Sequence, residues 1–133
     1  MVIGDTNITE HFQLKELWSP DNQEIQLNSL FHEHMELLEK MRTDYGIRMS
    51  VNSGHRSLAH NSEVGGAANS MHLRFATDIT PIVADVDLRK NLSILNDMAE
   101  EMGFQGIGRY NTFIHLDRRD LLGWVPARWD KRT

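Results

Sequence analysis

Residues 51–79 read VNSGHRSLAHNSEVGGAANSMHLRFATDI, and a shorter stretch near the C-terminus, residues 113–118, reads FIHLDR. Together they hold two imidazoles and one carboxylate, on His72, Asp78 and His115. Three such donors suit a catalytic zinc ion that keeps one coordination position open for water. Because the chain contains seven histidines, the residue types alone leave open whether these three form a metal site.

A series of short sequence blocks surrounds the three donors. In chain order they are SGHRS at 53–57, Asn61, VGGA at 64–67, SMH at 70–72, ATDI at 76–79, GIGRY at 106–110 and HLD at 115–117. In this order the blocks resemble the zinc D-Ala-D-Ala carboxypeptidase family, which includes VanX-like dipeptidases, phage endolysin peptidases and the hedgehog zinc fold. The resemblance covers most of the chain, including ITEHFQLKEL at 8–17, and small single-domain members look most similar.

The resemblance implies a zinc-dependent peptidase that cuts the stem peptides of bacterial peptidoglycan, as a D,D-carboxypeptidase or an endopeptidase. It implies zinc bound by His72, Asp78 and His115. It also implies that Arg56 polarises the scissile carbonyl, and a fixed cation near a metal does stabilise a developing oxyanion. Without the family context, Arg56 fits a surface ion pair better.

Two further residues belong to the expected substrate cleft. Ser70 stands where VanX-like enzymes have a serine that contacts substrate, although a serine at a loop end usually caps or hydrogen-bonds locally. His55 stands where the family usually has a tyrosine, and we expect it to contact substrate too.

The spacing of the first two donors departs from the family pattern. That pattern places the aspartate seven positions after the histidine, with a glycine between them, whereas Asp78 follows His72 by six positions without a glycine. Six extended steps of about 3.3 Å would separate the two by about 20 Å, whereas zinc–ligand bonds are about 2.0–2.2 Å long. The chain must therefore bend at Arg74 or Phe75. A distorted site and a relative that has lost activity both fit this contraction.

A zinc peptidase also needs a group that moves protons between the attacking water and the leaving amine. VanX-like members carry an acid three residues before the final histidine, where this chain has Thr112. Asp117 is then the candidate general base. The sequence leaves open an alternative, in which Asp117 supports the site by orienting His115 or by pairing with Arg56 or Arg118.

Hydrophobic periodicity predicts a single α+β domain with a small, mostly antiparallel sheet. Helices are expected at about 28–45, ending at Gly46, and at 87–102, ending at Gly103, with a shorter one over 9–17. His32 and His34 lie two positions apart on the first long helix and point away from each other, so we expect both to be structural.

Alternating side chains predict the strands. One is expected at 47–51, and a two-strand return at 106–117 would place His115 and Asp117 on one face. Pro81 suggests a strand that ends at a sheet edge. Asp85 or Asp87 is expected to cap the second long helix.

Composition excludes several classes of protein. The net charge of −5, with scattered basic residues, argues against nucleic-acid binding. No apolar run is long enough to span a bilayer, and no cysteine is present for a disulfide. The N-terminal MVIGDTNITEHF lacks the features of a secretory signal. Either the protein acts where it is made or another component carries it out. Together with the missing signal, the resemblance implies a phage lysis enzyme, expected to be a monomer in the cytoplasm of the producing cell that acts on the wall after release.

Two other functions remain open. The shortened donor spacing, His55 and Thr112 all favour a catalytically impaired module of the same fold that binds the cell wall or belongs to a virion. A hedgehog-like structural zinc domain with a protein partner is the third reading. Trp124 and Trp129, near the C-terminus, either pack onto the domain or line a sugar-binding edge.

Overall fold

A computed structural model describes residues 9–13, 29–53 and 76–133. These residues contain two long helices and five strands. The helices are α1 (Ser29–Tyr45) and α2 (Asp85–Met102), and the strands are β1 (Met49–Ser53), β2 (Ala76–Pro81), β3 (Gly106–Arg109), β4 (Ile114–Asp117) and β5 (Ala127–Asp130). A short 3-10 helix, Arg119–Leu122, lies between β4 and β5.

The five strands form one sheet in the order β1-β2-β4-β3-β5. All neighbouring pairs are antiparallel except β3 and β5, which are parallel. The predicted α+β class with a mostly antiparallel sheet is confirmed. β5 lies in a segment whose sequence predicted no strand.

The two long helices begin and end close to their predicted bounds. Gly46 and Gly103 follow them with positive φ angles of 78° and 95°, a conformation that glycine adopts without a steric penalty. The predicted aspartate cap of α2 is wrong, because Ala84 occupies the cap position without a side-chain hydrogen bond. Asp85 and Asp87 lie inside the first turn, where their negative charges interact favourably with the positive end of the helix dipole.

Two other predictions need correction. Residues 9–13 form bends and a bridge instead of the start of a helix, and the rest of that predicted helix lies outside the described residues. Phe12 is nevertheless a core residue, with 1% of its surface exposed. Pro81 does end a strand, but β2 lies between β1 and β4 and is not an edge. Pro81 is the last residue of β2.

The helices cover one face of the sheet. The buried core joins apolar side chains of the strands to those of α1 and α2, including Ile79, Ile107, Ile114, Leu116, Met35, Leu38, Met41, Leu92, Leu95 and Ala99. His34 belongs to this layer, because it is buried on α1 with its Nε2 3.3 Å from the hydroxyl of Thr77. No helix within the described ranges is long and apolar enough to cross a membrane.

Candidate metal centre

Four residues on neighbouring strands form a row across the sheet. Asp78 on β2 pairs with His115 on β4, His115 pairs with Gly108 on β3, and Gly108 pairs with Trp129 on β5. Because side chains alternate along a strand, this row lies on the face opposite the helix-packed Ile114 and Leu116. The topology therefore places polar chemistry on one face and the hydrophobic core on the other.

Asp78 and His115 are the two predicted metal ligands that the structure describes, and it brings them together. The Nδ1 atom of His115 lies 2.9 Å from Oδ1 of Asp78. Two donors that share a tetrahedral zinc ion at about 2.0–2.2 Å lie about 3.3 Å apart, so a small outward movement admits the ion. One imidazole nitrogen and one carboxylate are also donor types that zinc accepts, so these residues fit the metal.

The second imidazole nitrogen of His115 faces Asp117. Its Nε2 lies 2.7 Å from Oδ2 of Asp117, whose side chain is fully buried. Arg119 donates to both oxygens of this carboxylate, from Nε at 2.9 Å and from an Nη atom at 2.7 Å, and its backbone N–H donates as well. The arginine partner is thus Arg119, whereas Arg118 pairs with Asp120. These contacts favour the supporting role that the sequence left open for Asp117.

The pKa values of Asp117 and His115 also favour a supporting role for Asp117 over that of general base. Burial raises the pKa of Asp117, but hydrogen bonds from His115 and Arg119 outweigh it and hold the pKa well below its usual value. A strongly ionised carboxylate is a weak proton acceptor at neutral pH. Burial lowers the pKa of His115, but hydrogen bonds to Asp117 and Asp78 outweigh this effect and raise it. A raised pKa means that protons compete more strongly with a metal ion for the imidazole of His115.

Two glycines of β3 leave the space that this arrangement needs. A Cβ atom on Gly106 would overlap the carboxylate of Asp117, and one on Gly108 would overlap the indole of Trp129. The sequence contains a signal for both, because glycines at alternate positions of a strand mark a close approach on one face. Arg119 carried no comparable signal. For Trp129 the sequence left open packing onto the domain, and the structure shows its indole packed against His115 and Arg119.

The other predicted site residues, His55, Arg56, Ser70 and His72, lie outside the described residues. Within the described ranges, no group of three or more metal-binding side chains is present. Thr112, at the position where the sequence resemblance leads us to expect an acid, is exposed, and its carbonyl accepts a hydrogen bond from the Thr80 hydroxyl at 2.7 Å.

Comparison with known protein families identifies the family of this chain. The family described as peptidase M15 matches residues 10–117, which include the Asp78–His115 pair and Asp117. The chain belongs to the peptidase M15 family. The resemblance seen in the sequence blocks is thereby confirmed at the level of the family, which is one of metallopeptidases that act on peptides and are generally zinc-dependent. A search of curated proteins found no match.

Proposed function

We propose that this M15 peptidase is a zinc-dependent hydrolase of peptidoglycan stem peptides, acting as a D,D-carboxypeptidase or an endopeptidase. The observation that carries the proposal is the Asp78–His115 pair, whose donor atoms face each other at 2.9 Å. When bound, zinc supplies Lewis acidity toward the scissile carbonyl and lowers the pKa of water.

The described residues have separate tasks in this proposal. Asp78 and His115 hold the metal together with His72, and Nδ1 is the donor atom of His115. Asp117 accepts a hydrogen bond from Nε2 of His115 and so would keep the lone pair of Nδ1 available on the side of Asp78, where the metal would bind. We assign Asp117 to this orienting task instead of general base, because its oxygens already accept from His115 and Arg119.

The substrate side of the proposal rests on the sequence resemblance. Arg56 is proposed to steady the oxyanion, and Ser70 and His55 to contact the stem peptide. The resemblance to small endolysin peptidases also supports a phage lysis enzyme. Such an enzyme accumulates in the cytoplasm of the producing cell and reaches the wall through a separate pore-forming partner.

The test replaces one ligand and a matched control. His115→Ala removes a donor and should abolish both stoichiometric zinc and the release of D-Ala or stem-peptide fragments from purified peptidoglycan. His32→Ala removes an exposed histidine from α1 and should change neither. Zinc is measured by elemental analysis and the products by mass spectrometry. Full activity of His115→Ala would eliminate the proposed site.

A second candidate is a wall-binding or virion-associated module that kept the fold without turnover. It is favoured by Thr112, which replaces the family's acid, and by the engagement of Asp117 with Arg119. This module would sediment with peptidoglycan without releasing fragments, whereas the peptidase releases them.

A further inference from the structure

The indole of Trp129 lies against the candidate metal ligand His115. The two ring centroids are 5.0 Å apart, with an angle of 48° between the ring planes. On the same indole lies the guanidinium of Arg119, with its Cζ 5.4 Å from the ring centroid. The indole Nε1 donates a hydrogen bond to the Tyr110 hydroxyl at 2.8 Å. Trp129 is therefore held at both its face and its polar edge.

Gly108 makes this contact possible. Trp129 is on β5 and His115 is on β4, and β3 lies between them. Any side chain at Gly108 would overlap the indole. The indole can therefore cross β3 and reach the imidazole two strands away, an arrangement that needs glycine at this position.

The contacts around His115 form a closed ring. Asp117 bonds to Nε2 of His115, Arg119 bonds to Asp117, and Trp129 packs against both Arg119 and His115. One hydrogen bond at Nε2 fixes that atom but leaves the ring plane free to tilt about it. The indole packed at a tilt against the imidazole restricts that movement without competing for Nδ1.

We propose that Trp129 is a positioning residue for His115, which holds the imidazole so that Nδ1 stays directed toward Asp78 and the metal. This inference rests on the proposed function for the presence of the metal. Groups that orient a ligand change metal affinity or activity by about 10- to 100-fold when removed. The same indole could instead serve as a platform for substrate, and the experiment separates the two roles.

The experiment measures zinc affinity by competition with a chromophoric chelator and records the visible spectrum of the Co²⁺-substituted protein. Trp129→Ala should weaken zinc binding by about 10- to 100-fold and alter the Co²⁺ spectrum. Trp129→Phe keeps an aromatic surface over Gly108 and should stay within about threefold of wild type. Trp124→Ala, which removes a more exposed indole from the same C-terminal segment, should match wild type.

Each outcome decides between the roles. Unchanged zinc affinity in Trp129→Ala, with a raised KM for stem peptides, would identify a substrate platform and overturn the proposal. Equal losses in Trp124→Ala and Trp129→Ala would also overturn it. Should Trp129→Ala fail to fold, Trp129→Leu keeps a branched apolar side chain at this position without the aromatic ring, and wild-type zinc affinity in this variant counts against positioning. Zinc binding without peptide cleavage contradicts only the proposed function, whereas absence of zinc from the wild type contradicts both.

Discussion

The two ring nitrogens of His115 face carboxylates in different surroundings. Asp78, on the Nδ1 side, keeps some exposure, whereas Asp117, on the Nε2 side, is sealed beneath Arg119. A metal ion can therefore approach only the first carboxylate. The buried one is suited to hold the ring in a single tautomer, which is how second carboxylates act behind metal-bound histidines in general.

Asp117 should also make the protein sensitive to acid. Its pKa is lowered in the fold, so its contribution to stability is present above the ordinary value of 3.8 and is lost as the pH falls below that value. We expect Asp117→Asn to lower the free energy of unfolding at pH 7 by about 3 kcal/mol, because Arg119 then loses a buried counter-charge. The difference in the free energy of unfolding between wild type and Asp117→Asn should become smaller as the pH falls from about 4 to 2.

Urea titrations in the presence of a chelator measure this effect at each pH. Asp120→Asn is the matched control, because it removes an exposed carboxylate that pairs with Arg118 on the surface. Its effect on stability should be small at every pH. A constant difference between wild type and Asp117→Asn from pH 7 to pH 2 would contradict the ionisation argument.

Part of this site was predictable at the level of single residues. Alternation along a strand correctly placed His115 and Asp117 on one face, and the order of the blocks paired Asp78 with His115. The arginine was not predictable, because the chain leaves β4 through a 3-10 helix that turns Arg119 back toward Asp117. Arg118, expected as a possible partner, pairs instead with Asp120.

Among the elements, α2 anchors the sheet through its apolar stripe. Leu95 is fully buried in the core, whereas the adjacent Ile94 is 39% exposed. Leu95→Ala should therefore lower the free energy of unfolding by about 2–5 kcal/mol, through lost apolar contact and the cavity left behind. Ile94→Ala, its matched control, should lower it by less than about 1 kcal/mol. Chemical denaturation measures both, and equal losses would contradict the packing of α2.

Local sequence patterns were sufficient to predict some of the secondary-structure elements but not others. Both long helices were predictable because apolar residues recur at helical spacing and a glycine ends each one. β5 was not, because its side chains alternate between intermediate and exposed positions and none is an apolar core residue. Its pairing with β3 is parallel and joins segments separated by β4 and a 3-10 helix. Such a long-range pairing leaves no local periodicity.

At the scale of the whole molecule, the sheet couples the site to the stability of the fold. β2 and β4 carry the two proposed metal ligands Asp78 and His115 on one face and core residues such as Ile79 and Leu116 on the other. A metal ion bound to both Asp78 and His115 would therefore connect β2 to β4. The other face of both strands packs against the helices. Because unfolding separates the two strands, it would also release the metal, so metal binding would stabilise the folded protein.

Zinc should accordingly raise the thermal stability of the protein. At a free zinc concentration 100 times the dissociation constant, the linkage amounts to about 2.7 kcal/mol. For a domain of this size, such a gain corresponds to an increase in Tm of about 10 °C, which differential scanning calorimetry with and without chelator can measure. His115→Ala should show almost no increase, whereas His32→Ala should respond as wild type does. An equal increase in His115→Ala would mean that zinc binds elsewhere, because only a site that includes His115 ties β4 to β2 through the ion.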